Sequence, residues 1–245
     1  MAEGERAVRI LVVQNDVDKG PGRVGDALEA AGAELDVRMA TDDLPAVADY
    51  DGLVVLPGLN DPVDDVPPVH RARAAIEEAL ALGRPVLGLC LGGQLLAQAT
   101  GGEAYRCQVE QGYHDVRATA AAQDDPLLAG APAAYPSFHA HAWAFTPPPG
   151  STILLENDVS VQAVRCGERA WAFQCHPETP VSWADALARG IRGDHDGTLL
   201  PQTSDFFARH GVDPDRLERD ARAADASAAA VATGIGRGFA DACRG

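Results

Sequence analysis

The segment Arg84-Pro85-Val86-Leu87-Gly88-Leu89-Cys90-Leu91-Gly92-Gly93-Gln94 decides the fold. Arg84 to Leu89 is a short, largely apolar run behind the helix-stopping Gly83 and reads as a buried strand. Leu91 to Ala99 reads as a helix that Gly101-Gly102 terminates. Upstream, the same alternation recurs. Val8 to Val13 is a β-branched strand that breaks at Gln14-Asn15-Asp16 and Gly20-Pro21-Gly22, and Val24 to Ala31 follows as a helix. Leu35 to Met39 and Tyr50 to Leu56 are strands, the second ending at Pro57-Gly58, and Val69 to Leu82 is a helix with Arg and Glu on its outer face. Strands alternating with helices predict an α/β chain with a parallel sheet covered by helices on both faces.

Downstream of Gly102 the pattern changes to short strands, Val116 to Ala118, Thr152 to Leu155, Val161 to Val164 and Trp171 to Gln174, expected as an antiparallel edge of the same domain. From Thr179 the chain reads as helical, in segments beginning near Pro180, Ser204 and Asp213, with Ala221 to Thr233 the least patterned. The expected organisation is therefore one domain over residues 1–185 and a partly mobile C-terminal helical appendage, residues 186–245, packed on or beside it. No internal repeat is visible.

The 245 residues, 46% hydrophobic and 23% charged, suffice for a real core. Twenty Lys+Arg against 36 Asp+Glu give a net charge of −16, which opposes nucleic-acid backbones and anionic lipid. No apolar stretch approaches the ~20 residues that span a bilayer, and Met1-Ala2-Glu3-Gly4-Glu5-Arg6 is acidic where a signal peptide is basic. A cytoplasmic protein with no nucleic-acid or membrane partner is expected. The five cysteines include no C-x-x-C pair, which disfavours disulfides and structural zinc. Lys19, the only lysine, reflects compositional bias.

Gly88-Leu89-Cys90-Leu91-Gly92 is the cysteine version of the G-x-S-x-G nucleophile elbow. A sharp strand-to-helix turn holds the middle residue in strained geometry, its glycine neighbours allow close approach, and the helix N-terminus favours the thiolate. The competing readings are an unreactive buried thiol and a phosphate-cradling turn. A thiolate nucleophile needs a base, and the base an orienting group. His176-Pro177-Glu178, at the end of the apolar run Ala170 to Cys175, supplies both.

Together, Gly88-Leu89-Cys90-Leu91-Gly92-Gly93-Gln94, Phe173-Gln174-Cys175-His176-Pro177-Glu178 and Leu56-Pro57-Gly58 resemble the class I, triad-type glutamine amidotransferases over roughly residues 8–185. Gln111-Gly112-Tyr113, Asp125-Pro126-Leu127-Leu128 and Phe138-His139-Ala140-His141 are most similar to the GMP-synthase-like standalone subset. The resemblance implies a flavodoxin-like, mixed and mostly parallel sheet flanked by helices. It also implies hydrolysis of the glutamine side-chain amide without a cofactor or metal, through a γ-glutamyl thioester on Cys90. His176 would be the base and then the acid for the leaving ammonia, Glu178 its partner, and the N–H groups of Gly58 and Leu91 the oxyanion hole. Gln94, Tyr113, His141 and Trp143 are the implied substrate contacts. With no G-x-x-x-x-G-K-[ST] loop in the chain, two modes stand: supply of ammonia to a separate synthetase subunit, or hydrolysis of a small γ-glutamyl metabolite by the chain alone. A catalytically silent binding module of the same fold, and a cysteine peptidase or chaperone-like relative, are the competing classes.

Two departures from the family pattern bear on substrate. The oxyanion loop reads Leu56-Pro57-Gly58-Leu59-Asn60-Asp61 where relatives have Gly-Gly-Pro, and His141-Ala142-Trp143 stands where relatives have His-Gly-Asp. The acid expected to meet the substrate's α-amino group is thus replaced by an indole, a role that Asp61 is placed to take over. Asp61, Asp64 and Asp65 otherwise read as a solvated loop near the site entrance. Cys175 is expected to face away from His176 by strand alternation, and Cys107, Cys166 and Cys243 to be packed or surface thiols. His139 and His141 share a strand face and suggest a metal pair. With no carboxylate pattern near them in sequence, substrate-lining or structural roles are preferred.

Overall fold

The computed structural model describes residues 6–245, so most of the acidic start lies outside the described residues. One nine-stranded sheet runs in the order β2-β1-β3-β4-β9-β8-β7-β5-β6. Its parallel half is β1 (Val8–Gln14), β2 (Ala33–Met39), β3 (Gly52–Val55), β4 (Val86–Leu89) and β9 (Ala170–Phe173). The antiparallel half is β5 (Ala104–Ala118), β6 (Ala134–Phe145), β7 (Thr152–Glu156) and β8 (Val161–Cys166). β3, β4 and β9 are buried along their whole length, as strands covered on both faces must be. The expected α/β class and flavodoxin-like sheet are present.

Each face of the sheet has its own apolar core. One gathers Leu11, Val13, Leu53, Val55 and Val86 against α2 (Pro67–Ala81) and α3 (Leu91–Ala99). The other gathers Ile10, Val12, Val54, Leu87 and Trp171 against α1 (Gly22–Ala30) and the C-terminal helix. A third cluster joins Phe138 of β6 to α4 (Val181–Ile191) and α5 (Pro201–Arg209). Among the described residues no helix is long and apolar enough to cross a membrane.

Two features differ from the sequence reading. The expected short strand at Val116 is the end of a 15-residue strand paired with a 12-residue partner, β5 with β6. The sequence hides β5 because it is neither apolar nor alternating. Only Glu110 and Val116 along it are buried, and its register shifts between Arg106 and Glu110. Such an irregularity bends the strand and breaks the period of two.

The Ala-rich C-terminal stretch is part of one 31-residue helix, α6 (Pro214–Arg244), capped by the Asp213 side chain, which accepts from the N–H groups of Asp215 and Arg216. α6 packs on the domain, sending Val231, Ile235, Phe239 and Cys243 into the core shared with α1. Small residues set how closely it lies: a Cβ on Gly236 would come within 2.5 Å of Ala27 Cβ. Arg23 pairs with Asp225, and Arg169 donates to the Ala242 carbonyl, fastening both halves of the helix.

Candidate functional site

Cys90 joins β4 to α3 with φ +50° and ψ −107°, the only non-glycine with positive φ among the described residues. That backbone costs of order 1–3 kcal/mol, and its surroundings enforce it. A Cβ on Gly88 would run into the backbone of Gly92, and one on Gly92 into the Val55 carbonyl. No other side chain fits on either side of the elbow. The Cys90 N–H donates to the Phe173 carbonyl at 2.7 Å, tying the turn to β9. As the residue preceding the first turn of α3, Cys90 lies beside the orphan N–H groups of the helix start.

β9 delivers the histidine to the same sheet edge. The His176 N–H donates to the Phe138 carbonyl at 2.9 Å, and the Phe138 ring lies edge-on to the imidazole at 5.7 Å. Nδ1 of His176 is 2.6 Å from Oε1 of the buried Glu178, leaving Nε2 for the Cys90 thiol. Burial by itself pushes the imidazole pKa down. The carboxylate of Glu178, followed by the nearby Cys90, outweighs it and raises the value to about 9. Glu178 is itself positioned by Arg23, whose N–H donates to its carbonyl at 2.9 Å. Cys175, next in chain to His176, turns to the opposite side: its thiol meets the Gln162 carbonyl at 3.9 Å, and burial raises its pKa to about 12.

Beside Cys90 lies the loop after β3. The Asn15 amide donates to the Leu56 carbonyl at 2.7 Å and braces it. Gly58 packs so tightly that an added Cβ would be 2.7 Å from Asn15 and 2.9 Å from Leu91. Gly58 and Leu91, the first residue of α3, line the same cleft as Cys90.

Cys90 opens into a cleft of about 320 Å³ with Gly58, Leu91, Gln94, His141 and Trp143 in its wall. Gln94 does not point freely into it: the amide donates to the Trp143 carbonyl at 2.9 Å and to Gln174 Oε1 at 3.2 Å. Trp143 is covered by the Arg106 guanidinium, 4.8 Å from its ring, and Arg106 also holds Asp61 at 3.0 Å. Tyr113 is a correction. It packs edge-on against Phe138 at 5.5 Å in the α4–α5 cluster and is absent from the wall of the cleft. Burial raises its hydroxyl pKa to about 12.

Sequence reasoning missed several walls of this cleft. Phe206, Arg209 and His210, in and just after α5, roof it, and Lys19, which composition alone explained, stands at its edge. Gln174, part of the histidine motif but with no role assigned by the sequence, approaches Cys90 Sγ with its amide at 3.8 Å. The expectation that His139 and His141 have no carboxylate near them is also corrected. Glu110, directly opposite His141 in the β5–β6 register, lies 3.3 Å from its ring. The β5 sequence carries no period from which that pairing is legible.

A profile of the family described as "Glutamine amidotransferase class-I" matches residues 23–186. The chain belongs to the class I glutamine amidotransferases. It is 35% identical over 183 residues to the HisH subunit of imidazole glycerol phosphate synthase from Symbiobacterium thermophilum, covering 66% of this chain and 84% of that one. It is 38% identical over 111 residues to one subunit of the glutamine-hydrolysing GMP synthase from Methanoregula boonei, 44% of this chain. That match spans 59% of the relative's length. A crystal structure of a glutamine amidotransferase from Methylobacillus flagellatus superposes with a TM-score of 0.81 at 25% identity, covering 97% of this chain and 96% of that one. The family profile of this class I amidotransferase stops before α5 and α6, whereas the structural likeness spans nearly the whole chain, C-terminal helices included.

Proposed function

We propose that the chain releases ammonia from the side-chain amide of glutamine through a γ-glutamyl thioester on Cys90, for use by a separate synthetase subunit. The observation that carries this is Cys90 on a strained elbow, next to a buried imidazole whose Nδ1 holds Glu178 at 2.6 Å. In this reaction Cys90 attacks as the thiolate, the nucleophilic form, and His176, its pKa near 9, is protonated beside it at neutral pH. The thiolate adds to the amide carbon, and the oxyanion that forms is met by the N–H groups of Gly58 and Leu91, each such donor being worth on the order of 10²–10³ in rate. As the C–N bond breaks, His176 Nε2 gives its proton to the departing ammonia. Neutral His176 then takes a proton from water as the water adds to the thioester carbon, and glutamate leaves with Cys90 restored as thiolate. Glu178 keeps Nδ1 protonated throughout, so that Nε2 carries every transfer.

The synthetase partner is supported by the relatives' names, two of them subunits of synthases. One observation favours a second reading, a γ-glutamyl metabolite as substrate. Trp143 with its stacked Arg106 occupies the cleft where family members carry an acid, and Asp61 is already engaged by Arg106. Ammonia release from L-glutamine by the purified chain, with Cys90→Ala as control, tests the leading reading. Cys90-dependent turnover supports it. Turnover undiminished in Cys90→Ala removes the nucleophile, and turnover confined to substituted γ-glutamyl amides moves the substrate to the second reading.

A further inference from the structure

Beside the amidase cleft, on the β5–β6 hairpin, three side chains meet that take no part in the bond making or proton transfers of the proposed reaction. Glu110 is 3% exposed, His139 0% and His141 7%. Oε2 of Glu110 lies 3.3 Å from His141 Nε2 and 3.8 Å from His139 Nδ1, and the two ring nitrogens are 3.4 Å apart. Ligand atoms about 2.1 Å from a tetrahedral ion are about 3.4 Å from one another, against about 3.0 Å around an octahedral ion of the same bond length. The triangle has the tetrahedral size.

We propose that Glu110, His139 and His141 bind one Zn²⁺ ion. Two imidazoles and one carboxylate are the donor set of open zinc sites, and the two nitrogens and Oε2 converge on one point rather than pairing outward. Without a cation the cluster is costly. His139 Nδ1 and His141 Nε2 must share one carboxylate oxygen and face each other at 3.4 Å.

The surroundings position the carboxylate as metal sites do. The Asn157 amide donates to Glu110 Oε1 at 2.7 Å and the Gln162 amide to Oε2 at 3.3 Å. Asn157 is itself fixed, its Oδ1 accepting from the N–H groups of Val159 and Ser160. On the far side of His141, Nδ1 is 3.6 Å from the Cys107 thiol. Three protein ligands leave a fourth position for water. Because His141 also lines the cleft that holds Cys90, the ion would fix that wall and clasp β5 to β6 beside the register shift.

The competing zinc site in this molecule is the Cys90 thiolate with His176, so the test must separate the two. The full chain is stripped with chelator, dialysed against Zn²⁺ and then against metal-free buffer. Bound metal is counted by mass spectrometry and affinity measured by competition with a chromophoric chelator. One zinc per chain is expected in the wild type and equally in Cys90→Ala. Glu110→Gln and His139→Gln should weaken binding by about 100-fold or more, and Asn157→Ala by roughly 10–100-fold. X-ray absorption of the zinc-loaded wild type should show imidazole and oxygen with no sulfur at about 2.3 Å. No retained zinc, zinc that depends on Cys90, or sulfur in its shell would overturn the proposal. If the buried variants fail to fold by circular dichroism, the absorption spectra of wild type and Cys90→Ala decide the question.

Discussion

Replacing Glu178 by Gln isolates the charge that holds His176 protonated. The amide oxygen can still accept from Nδ1 in place of Oε1, now 2.6 Å away, so ring orientation and tautomer survive while the carboxylate charge is lost. A hydrogen bond to a charged group is worth about 1.5–3 kcal/mol, and about 1.4 kcal/mol corresponds to one pKa unit. The imidazole should therefore fall from about 9 by about one to two units, because burial then presses on it with only Cys90 opposing. At pH 8 the protonated fraction would drop from about nine-tenths to between about a half and a tenth, a loss of roughly two- to tenfold in kcat/KM through protonation alone. The sign is fixed: the imidazolium is present below the pKa and lost above it, so the alkaline limb of the rate profile must move to lower pH. The assay is kcat/KM for amide hydrolysis between pH 6 and 10, alongside an NMR titration of the His176 ring, which reports the pKa independently of turnover. An alkaline limb and a ring titration both unmoved in Glu178→Gln would refute the claim that this carboxylate sustains the imidazolium.

Two further outcomes follow from packing and from the cleft. Phe239→Ala should cost about 3–5 kcal/mol, because the ring is fully buried where α6 meets the sheet and lies edge-on to Trp171 at 6.2 Å. Thermal unfolding should fall by about 10 °C or more, and a loss of only about 1 kcal/mol would show that α6 is not part of the core. Trp143→Asp places an acid where the family resemblance implies one; KM for L-glutamine should drop about tenfold, or about 1.4 kcal/mol. An unchanged KM would show that the indole is not what disfavours the free amino acid.

Local chemistry already written into short segments carried most of the site. The elbow was legible because its glycines exclude side chains for reasons of distance: Gly88 meets the Gly92 backbone and Gly92 the Val55 carbonyl. The His176–Glu178 pair was legible because a two-residue separation across Pro177 keeps the partners within reach whatever the rest of the fold does. α6 was legible only in part. A run of alanines before Val231 obscures its buried stripe, and the four-residue spacing of Val231, Ile235, Phe239 and Cys243 emerges only from there on.

By itself, then, the sequence determined the parallel half of the sheet, the glycine-bounded elbow at Cys90 and the His176–Glu178 pair, since continuous apolar strands and fixed short spacings are properties of neighbours in the chain. Only the tertiary structure decided what surrounds them. It placed Tyr113 in a different cluster, brought Phe206, Arg209 and His210 from near α5 over Cys90, and set Glu110 against His139 and His141 through a strand pairing. Those contacts join residues far apart along the chain, and a register that shifts within β5 leaves no period from which to read them.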